Sequence, residues 1–225
     1  MGSIPDKNIH ALGRQLAHRQ AVGFGDLWGD DVGTMIAEAF DGEHLAKPVG
    51  LGDVVANGTA WSVKTVKRRE PRKTTVVRLI SGRNSPDYSF GISDPRKDIQ
   101  STGRAVLAIW NNRVNASLDE FNEIRIAVLI RNFEVGEFCL FEQPIEQYPQ
   151  DDYTWEVNTR GNLQGHDKRD NRHCFTWQPS GGQFTILRPV PGSARYFHFN
   201  RPIPYHSLEL VLNFVGYDDS WLTIG

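Results

Sequence analysis

Apolar residues recur at helical spacing through the first forty positions. Ile9, Leu12 and Leu16 form one short stripe, and Leu27, Val32, Met35, Ile36 and Phe40 form a second. Two helices are predicted, with Glu38 riding on the second. The breaker run Lys47-Pro48-Val49-Gly50 ends this part, and three apolar stretches follow at 53–55, 60–66 and 74–80. Asn57-Gly58 stands between the first two and is a strong signal for a two-residue hairpin turn. A meander of three strands is expected.

Asp94-Pro95 reads as an N-cap followed by proline at the first helical position, and Ile99, Thr102, Val106, Ile109 and Arg113 recur on one face of the helix this starts. The spacing predicts a helix to about Asn112, then a short capping-box turn at 117–120. The β-rich run 124–130 reads as a buried strand, and 137–141 as another. The order helix, three strands, helix, strand indicates an α/β fold with a central mixed sheet flanked by helices. The last third predicts additional C-terminal β-strands. Segments 154–157 and 175–177 are expected to pair as a long hairpin around the polar loop 160–173, and 183–187 and 208–214 to close the chain as strands. No repeat or Pro/Ser-rich linker interrupts the chain, so a single domain over 1–225 is expected, with a core at about 25–142 and a β-rich part at about 150–225.

Composition narrows the class. With 225 residues, 39% hydrophobic, 23% charged, 21 Gly and 12 Pro, the chain is neither disordered nor fibrous. Its two cysteines, Cys139 and Cys174, are too few for a disulfide framework or a four-thiolate zinc site. No stretch approaches the roughly 20 apolar residues of a membrane span, and the N-terminal MGSIPDKNIH carries no signal-peptide core. A cytoplasmic protein without a membrane partner is expected. The net charge of −2 is unevenly spread: residues 1–60 hold four Lys/Arg against eight Asp/Glu, whereas 64–73 hold six basic residues and one acid. That asymmetry points to a polyanion more than the sum does.

The chemistry concentrates in Gly52-Asp53-Val54-Val55 and Trp61-Ser62-Val63-Lys64. An aspartate on one strand faces Ser-x-Lys on the next, and the Asn57-Gly58 turn folds them together, so Asp53 and Lys64 approach at one sheet end. In metal-assisted phosphodiester hydrolysis a carboxylate holds Mg²⁺ while an ammonium steadies the attacking water and the scissile phosphate. The Val63 carbonyl is a further potential metal ligand, its side chain pointing to the other face. Aspartate and lysine on adjacent strands also arise by chance in α/β proteins. Here the pattern gains weight from the Glu-bearing helix before it and the basic run after it. Pro86-Asp87 competes for the aspartate role, but the next lysine, Lys97, falls at a helix start, and the pair reads as turn chemistry.

In these residues the sequence resembles the PD-(D/E)XK nucleases, and among them the type II restriction endonucleases. The resemblance covers about 28–130, where the Glu38 helix, the Asp53 strand, the Lys64 strand, the helix from Pro95 and the strand from Ile124 follow that family's core order. It implies a restriction-endonuclease-like core, with Asp53 a metal ligand, Lys64 the catalytic lysine and Glu38 a supporting carboxylate. Gly52 stands where the family has proline, and Ser62 where it usually has its second acid. Glu38 is the first replacement for that acid and Glu70 the second, with Ser62 acting through a bound water. The implied activity is Mg²⁺-dependent, sequence-specific hydrolysis of double-stranded DNA leaving 5′-phosphate ends, by a homodimer if the target is palindromic.

Lys67, Arg68, Arg69, Arg72 and Lys73 are expected to contact the DNA backbone. Arg83 and Asn84, in the donor-rich segment Ser81-Gly82-Arg83-Asn84-Ser85-Pro86, suit guanine and adenine edges. Lys168, Arg169 and Arg172 on the polar loop are placed for direct readout, with Gln178 and Gln183 beside them; a mixed-charge surface loop is the plainer reading. His166, His173 and Cys174 match no zinc spacing. Most tryptophans, Trp61, Trp110, Trp155, Trp177 and Trp221, read as core. Three other functions compete: a structure-specific repair or junction nuclease on the same core, a non-catalytic DNA-binding protein, and an enzyme acting on a small phosphoester. No Gly-rich phosphate loop supports the last, and no nucleotide cofactor is expected.

Overall fold

A computed structural model describes residues 4–45, 50–221 and 223. In chain order its elements are α1 (Asp6–Ala21), α2 (Gly29–Ala39), β1 (Glu43–His44), β2 (Val54–Ala56), β3 (Thr59–Lys67), β4 (Val76–Arg83), α3 (Pro86–Phe90), α4 (Ile99–Glu120), β5 (Glu123–Asn132) and β6 (Glu137–Pro144). They continue with β7 (Tyr153–Val157), β8 (Leu163–Asp167), β9 (His173–Gln178), β10 (Gln183–Pro189), β11 (Arg195–His198) and α5 (Leu208–Val215).

Two sheets form. The first runs β1-β2-β3-β5-β6-β11 and the second β4-β10-β9-β8-β7. In the first, β3 and β5 are parallel and the other neighbours antiparallel, so the sheet is mixed. The second is antiparallel throughout. The protein is therefore α/β, with a mixed sheet and flanking helices.

Alternation along the central strands decides what packs where. Trp61, Val63, Ala127, Leu129 and Leu140 turn toward α1 and α2 and close over Leu12, Leu16, Val32, Met35 and Ile36. Ile126, Val128, Ile130, Cys139 and Phe141 turn the other way, onto Val77 and Leu79 of β4. The α4 residues Val106, Leu107, Trp110 and Val114 pack on Trp155, Leu163, Phe175 and Phe184 of the second sheet. Each fully buried aliphatic chain of this kind contributes roughly 1.5–3 kcal/mol. Because β5 is covered on both faces, its centre from Ile126 to Ile130 is continuously apolar rather than alternating.

The two N-terminal helices and the Asn57-Gly58 hairpin stand where the sequence predicts them. Asn57 (φ 51°) and Gly58 (φ 80°) both adopt positive φ, the geometry that a two-residue turn demands and that favours Asn-Gly. Several expectations are corrected. There is no three-strand meander. After β3 the chain turns through Pro71–Lys73, and β4 leaves the first sheet to pair with β10, burying Val77 and Leu79 between the sheets. Helix α4 starts later and runs longer than predicted. Asp98, not Asp94, accepts from Ser101 N as its cap, and buried Val114 and Ser117 carry it on to Glu120, absorbing the expected turn at 117–120. Asp94 instead closes a turn onto Arg96 N.

The expected long hairpin is also corrected. Residues 163–167 form β8, which pairs with both β7 and β9, so β7 and β9 are not partners. The final apolar run is helix α5, not a strand, capped by the Ser207 hydroxyl and ended by Gly216 in the left-handed region. A short apolar run carries no period that separates strand from helix, and the caps decide. Pro86-Asp87 opens the one-turn helix α3 rather than a plain turn. Trp61, Trp110, Trp155 and Trp177 are buried, but Trp221 is exposed. Lys47, Pro48 and Val49 of the breaker run lie outside the described residues. Among the described residues no helix is long and apolar enough to cross a membrane.

Candidate active site

Strand β2 is short. It pairs with β3 from Val54 opposite Trp61 to Ala56 opposite Thr59, and Asp53 N still reaches Trp61 O at 2.8 Å. Beyond that point β3 has no backbone partner on this side among the described residues, and the Asp53 side chain takes over. Its Oδ2 accepts from Val63 N at 2.7 Å. The N–H and C=O of one strand residue point the same way, so the Val63 carbonyl faces the same edge as the carboxylate.

Ser62 and Lys64 pair with Ile126 and Val128, which sets them on the face turned toward β4 and α4. The Ser62 hydroxyl lies 3.4 Å from Asp53 Oδ2 and accepts from Lys64 Nζ at 3.0 Å. Lys64 Nζ also reaches the Val63 carbonyl at 3.2 Å and stands 3.6 Å from Asp53 Oδ2. Both charged groups keep solvent access, with side chains 26% and 36% exposed for Lys64 and Asp53. Four predicted site residues, Asp53, Ser62, Val63 and Lys64, thus meet at one point.

Beside them is a cavity of about 230 Å³ whose walls include Ser62 and Lys64 from β3, Ser81 and Gly82 from β4, and Trp110 and Arg113 from α4. The Arg113 Nη1 donates to the Ser81 carbonyl at 2.7 Å. Burial lowers the pKa of this guanidinium from the usual arginine value, and the Asp53 carboxylate pulls the other way. Sequence reading placed Arg113 on the α4 face without giving it a role. The available signal was a cation in register with an otherwise apolar stripe.

The supporting acids lie elsewhere. Glu38 is exposed on α2 and accepts from the Gln15 amide of α1. The helix pair packs on the sheet face opposite Ser62 and Lys64. Glu70 is bound by Lys73 Nζ at 2.5 Å, beyond the far end of β3. Among the described residues no three His, Cys, Asp or Glu side chains converge on one point.

The predicted DNA contacts divide in the same way. Lys67, Arg69, Arg72 and Lys73 are exposed and Arg68 half-buried at the end of β3 and in the following turn. There the Asn132 amide donates to Arg69 O at 2.8 Å, Arg72 meets His198 at 3.0 Å, and Lys67 stands 3.6 Å from Glu134. Arg83 is exposed at the end of β4, and Gln183 is half-buried opposite it. Asn84 is corrected. It is fully buried, its Nδ2 donates to Val106 O at 2.9 Å and its carbonyl accepts from Trp177 Nε1 at 2.8 Å, so it ties β4 to α4 and β9 and presents no edge to a base.

Arg169 is committed too. Its guanidinium grips the buried Asp167 through Nε at 3.0 Å and Nη2 at 2.6 Å. The Arg169 side-chain bond, with its main-chain N–H and charge, holds the Asp167 carboxyl down at about 2. Arg172 stands 3.5 Å from Asp170, and Lys168 is exposed at the hairpin tip. Comparison of the chain with protein-family models, with curated proteins and with solved structures finds no match.

Proposed function

We propose that this protein is a Mg²⁺-dependent endonuclease that hydrolyses double-stranded DNA in the manner of a type II restriction enzyme, working as a two-fold homodimer. The observation that carries the reading is the meeting of Asp53, Ser62 and Lys64 where β2 stops, beside a cavity whose otherwise mostly apolar lining includes Lys64 and Arg113. The chain order around it supports the same reading: apart from β4 and α3, which are inserted between β3 and α4, the helix α2, the strands β1, β2 and β3, the helix α4 and the strand β5 parallel to β3 follow the core order of the PD-(D/E)XK nucleases.

The donor set fits a magnesium ion at the lean end of its range. Mg²⁺ is often bound through one or two carboxylates, with waters and substrate phosphates completing six oxygens. Asp53 and the Val63 carbonyl, facing one edge, supply the protein's share. When bound, the ion supplies Lewis acidity toward the phosphate and a more acidic water. The chain's own residues do the rest. Lys64 donates to the attacking water and to the developing phosphate charge, and Ser62 holds Lys64 and a water in place. The water oxygen bonds to phosphorus and the bond to the 3′ oxygen breaks. A proton passes from the water to solvent and another from solvent to the 3′ oxygen, leaving 5′-phosphate and 3′-hydroxyl ends.

Incubation of the purified protein with phage and plasmid DNA, with and without Mg²⁺, tests this. Discrete fragments that require Mg²⁺ and vanish in Asp53→Ala and Lys64→Ala are expected, and cleavage surviving both substitutions refutes the site. One observation favours a second reading. Glu38 and Glu70 are bound elsewhere, leaving a single carboxylate at the site among the described residues. A DNA-binding protein without cleavage fits that arrangement, and binding indifferent to Mg²⁺ on uncut DNA identifies it.

A further inference from the structure

We infer that Arg113 is a second phosphate-holding cation of this site, and that Arg113 and Lys64 grip one backbone phosphodiester from opposite walls of the cavity between α4 and β3. The inference rests on the proposed function for the identity of the ligand, though not for the existence of the anion site.

Charge is the first indication. Arg113 is half-buried, and among the described residues no carboxylate lies within ion-pairing distance of it. Asp53 acts on it only through space. Its one side-chain hydrogen bond among the described residues, to the neutral Ser81 carbonyl, uses one of the five N–H donors of the fork. Its carbon sits 6.0 Å from the Trp110 ring centroid. The two buried arginines of this protein, by contrast, both have carboxylate partners. Arg131 has Asp26 at 2.5 Å, and Arg125 has Glu123 at 2.7 Å and Glu142 at 3.1 Å. A sheltered charge ordinarily has a counter-charge, because desolvating it alone is costly. Here the space beside it is a cavity whose other wall carries Lys64, another cation.

Shape is the second. Gly82 has φ +112°, and a Cβ placed there lies 2.2 Å from Arg113 Nη1. The backbone of β4 thus admits the guanidinium only because position 82 has no side chain. The Ser81 carbonyl fixes one donor, which leaves a planar, pre-oriented fork of the kind that holds phosphate oxygens in pairs. At about 230 Å³ the cavity has room for several waters at roughly 30 Å³ each, and so for a tetrahedral phosphate group.

The test uses the full chain in metal-free buffer, with inorganic phosphate, a dinucleoside monophosphate diester and a nucleoside monophosphate as separate probes, read by calorimetric titration and by ligand-induced shift of Tm. Wild type is expected to bind the diester most tightly. Arg113→Met is expected to weaken that binding at least tenfold while its ligand-free Tm stays level or rises, since a sheltered charge is removed. Arg113→Lys should recover part of the binding. Undiminished diester binding in Arg113→Met overturns the proposal. So does a loss of ligand-free Tm with the ligand shift intact, which marks a structural arginine. Preference for the monophosphate overturns the diester assignment. If the protein cuts no DNA yet Arg113→Met loses diester binding, the anion site stands and the nuclease reading falls. If it cuts DNA with wild-type kinetics in Arg113→Met, the reverse holds.

Discussion

Two groups of charged residues, one on each sheet, are handled in opposite ways. At the β8–β9 turn the charges neutralise one another: Arg169 closes on buried Asp167, and Arg172 lies beside Asp170. At the end of β2, Lys64 and Arg113 line one cavity, and the Asp53 carboxylate stands 3.6 Å from Lys64 and acts on Arg113 only through space. In the sequence the first group looks the richer DNA-reading element, having more basic residues in fewer positions. The structure reverses the impression. A cation already bonded in two directions has little left for a ligand, whereas under-neutralised cations beside open space are poised for one.

This contrast is open to measurement. The largest effect is expected at the site: Asp53→Ala or Lys64→Ala should lower Mg²⁺-dependent cleavage by about 10²–10³-fold or more, the scale of losing a group that stabilises transition-state charge. Circular dichroism should remain that of the wild type, because both side chains keep solvent access. Next comes the basic turn. Lys67→Ala with Arg69→Ala should reduce the slope of log K against log salt for DNA binding by roughly 2, about 0.9 for each phosphate no longer neutralised. Arg169→Ala should leave that slope unchanged, and an equal fall in both variants would erase the distinction between the two groups.

The turn that brings Asp53 to Lys64 is worth less. Gly58→Ala, at φ 80°, should cost about 1 kcal/mol in chemical denaturation, since alanine tolerates positive φ poorly. The last effect, read through its pH dependence, concerns Asp167. Its carboxyl lies at about 2 in the folded protein against 3.8 ordinarily. The stabilisation this represents is complete above about pH 4 and is lost as pH falls through about 2. The Tm difference between wild type and Asp167→Asn should therefore shrink in acid, and a difference that persists unchanged at pH 2 would count against the Arg169 pairing.

Local patterns were legible where one rule sufficed. The stripes of α1 and α2, the Asn57-Gly58 turn and the apolar run of β5 each follow from neighbours within about ten positions. The pairing of Asp53 with Ser62 and Lys64 was legible for the same reason, since one hairpin carries all three. Partners distant in sequence were not legible. The move of β4 to the second sheet depends on Val77 and Leu79 meeting residues from β5 and β6, some fifty positions later. Asn84 looked like a base reader because nothing nearby reveals that it is buried, with its side-chain amide N–H donating to Val106 and its main-chain carbonyl held by Trp177. Glu38 looked available because its partner Gln15 sits on another helix. Arg113 stood in the stripe of α4 with nothing to distinguish it, since Gly82 and Ser81 come from β4.

By itself, then, the sequence determined the helices α1 and α2, the body of α4, most of the strands, the hairpin turn and the meeting of Asp53 with Lys64, because period, turn chemistry and short-range pairing are set by the backbone and adjacent side chains. Only the tertiary structure decided which strands share a sheet, which charges are already paired, and that Arg113 completes the wall opposite Lys64. Those outcomes depend on burial and on contacts between distant segments, and a side chain's freedom to meet a ligand is whatever such contacts leave over.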